Sequence, residues 1–86
     1  MGEVINITKH SHWVWPVCIK LRPLGLFELI RGPEAALEFM ESARFNDTPS
    51  LLFARQMCIA AMAQRFDPAN ARQAFICACR EAGLID

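Results

Sequence analysis

The stretch DPANARQAFICACREAG, residues 67–83, predicts a complete α-helix with both of its ends marked. Asp67 is a side chain that caps helix N-termini, and Pro68 suits the first helical position, where its missing N–H is not needed. Gly83 can adopt the left-handed conformation that ends a helix, which would let Leu84 fold back near Cys79. This closing helix is the element around which the rest of the fold is predicted.

This helix contains a segment, ARQAFICA (71–78), that resembles an earlier segment of the chain, ARQMCIAA (54–61). The distance in sequence between the two segments is shorter than the period of helical repeats, roughly 33 to 47 residues. We therefore interpret the segments as parts of two single helices. Each carries small residues on one face, which lets two helix axes approach closely. The small residues are Ala54, Cys58 and Ala61 in the earlier segment, and Ala71, Ala74, Ala78 and Ala82, beside Phe75, in the later one. The repeat therefore predicts an antiparallel helix pair, in which Arg55 and Arg72 occupy neighbouring, more exposed directions.

Two further helix starts lie upstream. Thr48-Pro49 repeats the capping side chain and proline, and predicts a helix from there to about Arg65. Gly32-Pro33-Glu34 predicts an earlier helix that runs to about Arg44. Within that earlier helix the acidic side chains favour a solvated face: Glu34, Glu38 and Glu41.

The N-terminal part of the domain has a different period. Apolar residues alternate through residues 13–21, with Pro16 at the start or edge of the strand, and residues 26–31 form a second strand after a proline-glycine turn. We therefore predict an α+β fold, an N-terminal β-hairpin followed by three α-helices, the second and third being the antiparallel pair. Residues 1–12 are expected to be a flexible arm, and residues 13–86 a single domain.

Composition restricts the choice of partner. The 86 residues are 53% apolar, which is high for a domain with so little interior, and this excess favours burial against a partner. The formal net charge is zero, so no long-range field attracts nucleic acid or an anionic membrane. Without an apolar run of ~18 residues or a signal peptide, we expect a cytoplasmic protein whose four cysteines are thiols.

No catalytic or metal-binding pattern is present. Cys77 and Cys79 project about 200° apart on a helix, so they cannot share a metal, and no cysteine pair has zinc-knuckle spacing. A nucleophile elbow and a phosphate-binding glycine loop are also missing. We expect no enzyme activity and no cofactor.

Three functional hypotheses remain. The first is a self-associating interaction module, a homodimer or the binder of an unknown protein partner, although the helices could instead cover the same apolar residues as core. Its interface candidates are Trp13, Trp15, Val17 and Ile19. The second is a small nucleic-acid-binding regulator that uses the helix starting at Pro68, disfavoured by the neutral charge. Its candidates are Arg65, Asn70, Arg72 and Gln73. The third is a redox sensor that uses Cys18 or another thiol.

Several segments resemble a family of small bacterial proteins classed as domain of unknown function 982. They are WPVCI (15–19), IRGPEAALEFM (30–40), Ala54, Cys58 and Ala61, and ARQAFICACREAG (71–83). The resemblance extends over about residues 15–84. It supports the hairpin-plus-helices architecture and implies no catalytic residue or cofactor. The resemblance also implies a specific role for Arg72, and an inward-reaching structural role is the one to test first.

Overall fold

The computed structural model describes residues 12–21, 25–42 and 48–85, and it confirms the α+β fold, a β-hairpin followed by three helices. The strands are β1 (Val17–Leu21) and β2 (Leu26–Ile30), and the helices are α1 (Pro33–Ser42), α2 (Pro49–Met62) and α3 (Pro68–Glu81). Most of the predicted arm, residues 1–11, lies outside the described residues, and His12 is exposed.

The hairpin is antiparallel, and its register places Val17 opposite Ile30 and Leu21 opposite Leu26. The alternation predicted from residue 13 begins only at Val17, because Pro16 has no N–H for a ladder and restricts the residue before it. On the other edge of β1, the Lys20 amide donates a 3.0 Å hydrogen bond to the Leu84 carbonyl. The C-terminal segment therefore lies beside β1.

Side-chain caps start the second and third helices as predicted. The Thr48 hydroxyl accepts from the Leu51 amide at 3.1 Å, and the Asp67 carboxylate accepts from the Ala69 amide at 3.0 Å. Each cap is followed by proline, which leaves one fewer orphan N–H to satisfy.

The C-terminal ends differ from the predictions in one case. α2 stops at Met62, short of Arg65, because Gln64 takes φ 62° and its amide bonds back to Ala61 while that of Arg65 bonds to Ala60. α3 also ends with a residue of positive φ, and here it is the predicted Gly83, with φ 78°. The Leu84 amide donates to the Cys79 carbonyl, as predicted. α1 is described as far as Ser42, so its predicted end near Arg44 falls outside the described residues.

The core lies where the hairpin meets the three helices. Phe75 is fully buried at its centre, with its ring centroid 5.9 Å from that of Trp13 and 6.2 Å from that of Phe39. α2 and α3 pack as the predicted antiparallel pair, and the Ser50 hydroxyl near the start of α2 donates to Glu81 at the end of α3 at 2.7 Å. All but one of the small residues predicted for their seam are buried: Ala54, Cys58, Ala61, Ala71, Ala74 and Ala78. Ala82 is instead exposed, since it lies beyond the last turn of α3.

Candidate functional site

The two tryptophans do not share a face. Trp13 is 7% exposed and its indole Nε1 donates a 2.9 Å hydrogen bond to the Pro68 carbonyl, whereas Trp15 is 73% exposed. The alternation through residues 13–21 would place both side chains on one face of a strand, and this prediction is wrong because both residues precede β1. Trp13 is a core residue, and Trp15 offers its ring to solvent.

The other two interface candidates, Val17 and Ile19, are also core residues, at 4% and 0% exposed. Of the four candidates, Trp15 alone therefore presents its side chain to a partner. The exposed part of the hairpin lies instead on β2, where Leu26, Phe27 and Leu29 are each about half exposed or more. The sequence signal for this was the nearly uninterrupted apolar run LFELI, which has no polar face.

Arg72, for which the family resemblance implied an inward-reaching structural role, makes a structural contact that is exposed to solvent. Its Nε donates a 2.7 Å hydrogen bond to the Trp15 carbonyl, across 57 positions of sequence. Together with the bond from Trp13 to Pro68, this contact fastens the segment before β1 to the first turns of α3.

The residues of the nucleic-acid hypothesis are distributed over different surroundings. Arg65 is exposed in the connection between α2 and α3, and Asn70 and Gln73 are exposed on α3. Arg72 is half-buried, and the carboxylate of Asp67 caps the same helix end at which a phosphate would bind. Of the four candidates, Asn70 and Gln73 carry no charge, and Arg72 is bonded to the Trp15 carbonyl.

The four cysteines fall into two classes. Cys58 and Cys79 are fully buried, and burial raises the pKa of each thiol from 9.0 to about 12, with the neighbouring Cys58 adding to the effect on Cys79. Both are therefore protonated and unreactive at neutral pH. Cys18 on β1 and Cys77 on α3 are exposed.

A groove of about 490 Å³ runs along the solvent side of the α2–α3 pair. Phe53 and Met57 line it from α2, and Gln73, Ala74 and Cys77 line it from α3. Of the small buried residues of the helix pair, Ala74 lines the groove. We call this feature the α2–α3 groove.

Among residues 12–21, 25–42 and 48–85, no three His, Cys, Asp or Glu side chains lie close enough to hold a metal ion. The helices in these same ranges include none that is long and apolar enough to cross a membrane.

The family model of DUF982, a protein of unknown function, matches residues 15–85. The chain belongs to the DUF982 family. No match was found among curated proteins or among solved structures.

The structure shows where the residues of one DUF982-like segment, ARQAFICACREAG (71–83), lie in the fold. Its alanines at 71, 74 and 78 form the seam with α2, Phe75 fills the centre of the core, and Gly83 ends the helix. Arg72 bonds to Trp15, the first residue of the family match. Most of this DUF982 segment is thus accounted for by packing and by connection of the N-terminal segment to α3.

Proposed function

We propose that this DUF982 protein is a non-enzymatic interaction module whose working form is a homodimer. The observation that carries the proposal is the surface of α2. Among its 14 residues Arg55 is the single charged one, and Leu52, Phe53 and Ile59 are 47%, 56% and 52% exposed.

The placement of these residues around the helix strengthens the argument. At 100° per residue, Leu52 and Ile59 lie on one side of the outward surface, and Phe53 lies roughly 100° further round, with Gln56 between them. Arg55 is turned away from this sector, toward α1, where its guanidinium lies 3.8 Å from the carboxylate of Glu41. The outward sector of α2 is therefore uncharged. A helix that is apolar around most of its circumference is typical of one that is buried on most sides, by its own domain or by a partner.

α3 provides the comparison within the same fold. It has the same length, yet its outward positions include Arg80 and Glu81, both exposed. The uncharged surface is thus a property of α2 and not of every helix in this small domain. Contiguous exposed apolar surface on a soluble protein marks an interaction site.

A second copy of the chain is the partner that the charge supports best. The chain has no net charge, so two copies approach without long-range repulsion, and a two-fold axis brings identical uncharged surfaces together. A standard interface takes about 800 Å² from each partner. That area is roughly one seventh of the 5909 Å² surface of this chain.

Sedimentation equilibrium or light scattering tests the proposal across about 1 to 100 µM, the range in which a micromolar dimer dissociates. We expect the mass to rise with concentration toward that of two 9.7 kDa chains. A mass of one chain at every concentration contradicts the proposal.

A matched pair of glutamine substitutions locates the surface. Gln56→Lys places a charge in the outward sector of α2 and should raise the dimer Kd about tenfold or more, because that charge would be desolvated in the interface. Gln64→Lys makes the same chemical change at another exposed position, after α2, and should leave the Kd unchanged. Equal dimerisation of both variants would remove α2 as the basis of the proposal.

A further inference from the structure

The α2–α3 groove lies beside an exposed aromatic side chain. Phe53 is 56% exposed at its edge, and the space beside it, about 490 Å³, is lined mainly by apolar side chains such as Met57, Ala74 and Cys77. A projecting aromatic ring and an apolar recess therefore occupy one surface of one helix pair. Large aromatic side chains that fill such recesses supply much of the binding free energy at protein interfaces.

A surface that carries both a projection and its matching recess is complementary to itself. In a two-fold dimer, residue i of one copy contacts residue j of the other, and residue j contacts residue i in return. Phe53 and the groove lie on one surface of one helix pair, which is the arrangement that such reciprocal contacts require.

The charges around the groove favour the same occupant. The groove is lined by uncharged residues only: Ser50, Phe53, Met57, Asn70, Gln73, Ala74 and Cys77. The nearest arginine in sequence, Arg72, is turned toward the Trp15 carbonyl and not toward the groove. The Glu81 carboxylate, which accepts a 2.7 Å hydrogen bond from the lining residue Ser50, lies at one end of the groove. Over the rest of the lining, two copies can meet without opposing like charges.

We infer that two copies of the chain associate across the α2–α3 groove, each inserting Phe53 into the groove of the other, so that four helices pack around a two-fold axis. This inference rests on the proposed homodimer and assigns its interface. Each groove is thereby filled with side chains, and the uncharged side of α2 is removed from water.

The cysteines of the unmodified protein provide the test. Cys77 lines the groove and Cys18 is exposed on the hairpin, while Cys58 and Cys79 are buried with raised pKa values and serve as unreactive background. The maleimide labelling rate of each cysteine is measured by mass spectrometry at protein concentrations below and above the dimer Kd. We expect the labelling of Cys77 to slow about tenfold in the dimer and that of Cys18 to stay constant.

Two phenylalanine substitutions form the matched control. Phe53→Ser and Phe27→Ser each replace an exposed ring, at 56% and 64%, so neither should unfold the chain, and circular dichroism verifies this. Phe53→Ser should raise the dimer Kd about tenfold or more, and Phe27→Ser should not change it.

The contrary outcomes are distinct. A dimer in which Cys18 is protected and Phe27→Ser dissociates would place the interface on the hairpin, overturning this inference but not the homodimer. Protection of Cys77 at every concentration would mean that the chain covers its own groove, and it overturns the inference as well. A chain that stays monomeric throughout contradicts the proposed function itself.

Discussion

The Nε of Arg72 lies 2.7 Å from the carbonyl oxygen of Trp15, so a side chain of the last helix holds the backbone of the segment that leads into the first strand. The bond joins two parts of the chain that are separated by 57 positions. Beside it, the Trp13 indole bonds to the Pro68 carbonyl. These two contacts close the N-terminal side of the fold onto α3.

Replacing Arg72 with alanine should lower the free energy of unfolding by about 1 kcal/mol, because its charge-assisted hydrogen bond to the Trp15 carbonyl is lost. Urea denaturation measures the change. Arg65→Ala, at an exposed arginine in the α2–α3 connection, is the control and should alter stability by less than about 0.5 kcal/mol. If the two variants are equally stable, Arg72 has no structural role. If both also lose duplex-DNA binding equally in a gel shift, the nucleic-acid hypothesis is favoured instead.

Substitution of the two tryptophans should have different effects on stability. Trp13→Phe removes the bond to Pro68 and part of a buried ring, and should cost about 2 kcal/mol of stability. Trp15→Phe changes a ring that is 73% exposed, and should cost less than about 0.5 kcal/mol.

Acrylamide quenching of the two single-tryptophan variants gives an independent readout. The fluorescence of Trp15 in the Trp13→Phe protein should be quenched readily, and that of Trp13 in the Trp15→Phe protein weakly. Similar quenching in both would contradict the division of the pair between core and surface.

Glycine is favoured at both helix ends that have a positive φ angle, so introducing it at one end and removing it at the other should have opposite effects on stability. Gln64 has φ 62°, so Gln64→Gly should stabilise the protein by about 0.5 kcal/mol, the relief of left-handed strain being partly offset by unfolded-chain entropy. Gly83 has φ 78°, and Gly83→Ala should destabilise it by about 1 kcal/mol, although a Cβ there would meet no atom within 4 Å. Thermal unfolding of both variants checks the signs, which would be wrong if the two melting temperatures moved together.

Stability should fall in alkaline solution through the two buried thiols. The pKa of Cys58 and of Cys79 is raised from 9.0 to about 12, so the folded state holds each proton more tightly than the unfolded state does. Their contribution is complete below pH 9 and is lost as the pH rises from about 9 toward 12.

Urea denaturation of the wild type and of a Cys58→Ala, Cys79→Ala variant at several pH values measures this dependence. The wild-type free energy of unfolding should decrease more steeply above pH 9 than that of the variant. Parallel pH profiles would show that the thiols do not contribute.

Much of the fold followed from local chemistry that can be read along the chain. Thr48 and Asp67, each followed by proline, marked two helix starts, and Gly83 marked an end, because capping involves residues only a few positions apart. The small-residue faces of 54–61 and 71–78 predicted the α2–α3 seam for the same reason. The end of α2 escaped prediction because Gln64 adopts a conformation for which glycine is the usual signal.

The candidate site was predicted less well. Alternation assigned Trp13 and Trp15 to one face, but no periodicity states where a strand begins, and the two side chains separate before β1. Val17 and Ile19 were correctly seen as apolar on one face, yet the same pattern describes a core and an interface equally well. The exposure of Phe27 and Phe53 could not be read from composition, since both are ordinary core residue types.

The sequence by itself determined the order of the elements, three of their capped ends and the packing face of each helix in the α2–α3 pair, because neighbours within a few residues control these features. Only the tertiary structure decided which tryptophan is buried, which carbonyl Arg72 binds, and that an apolar groove remains open beside Phe53. These depend on contacts between residues that are tens of positions apart, and the solvent exposure of a side chain is known only when every such contact is in place.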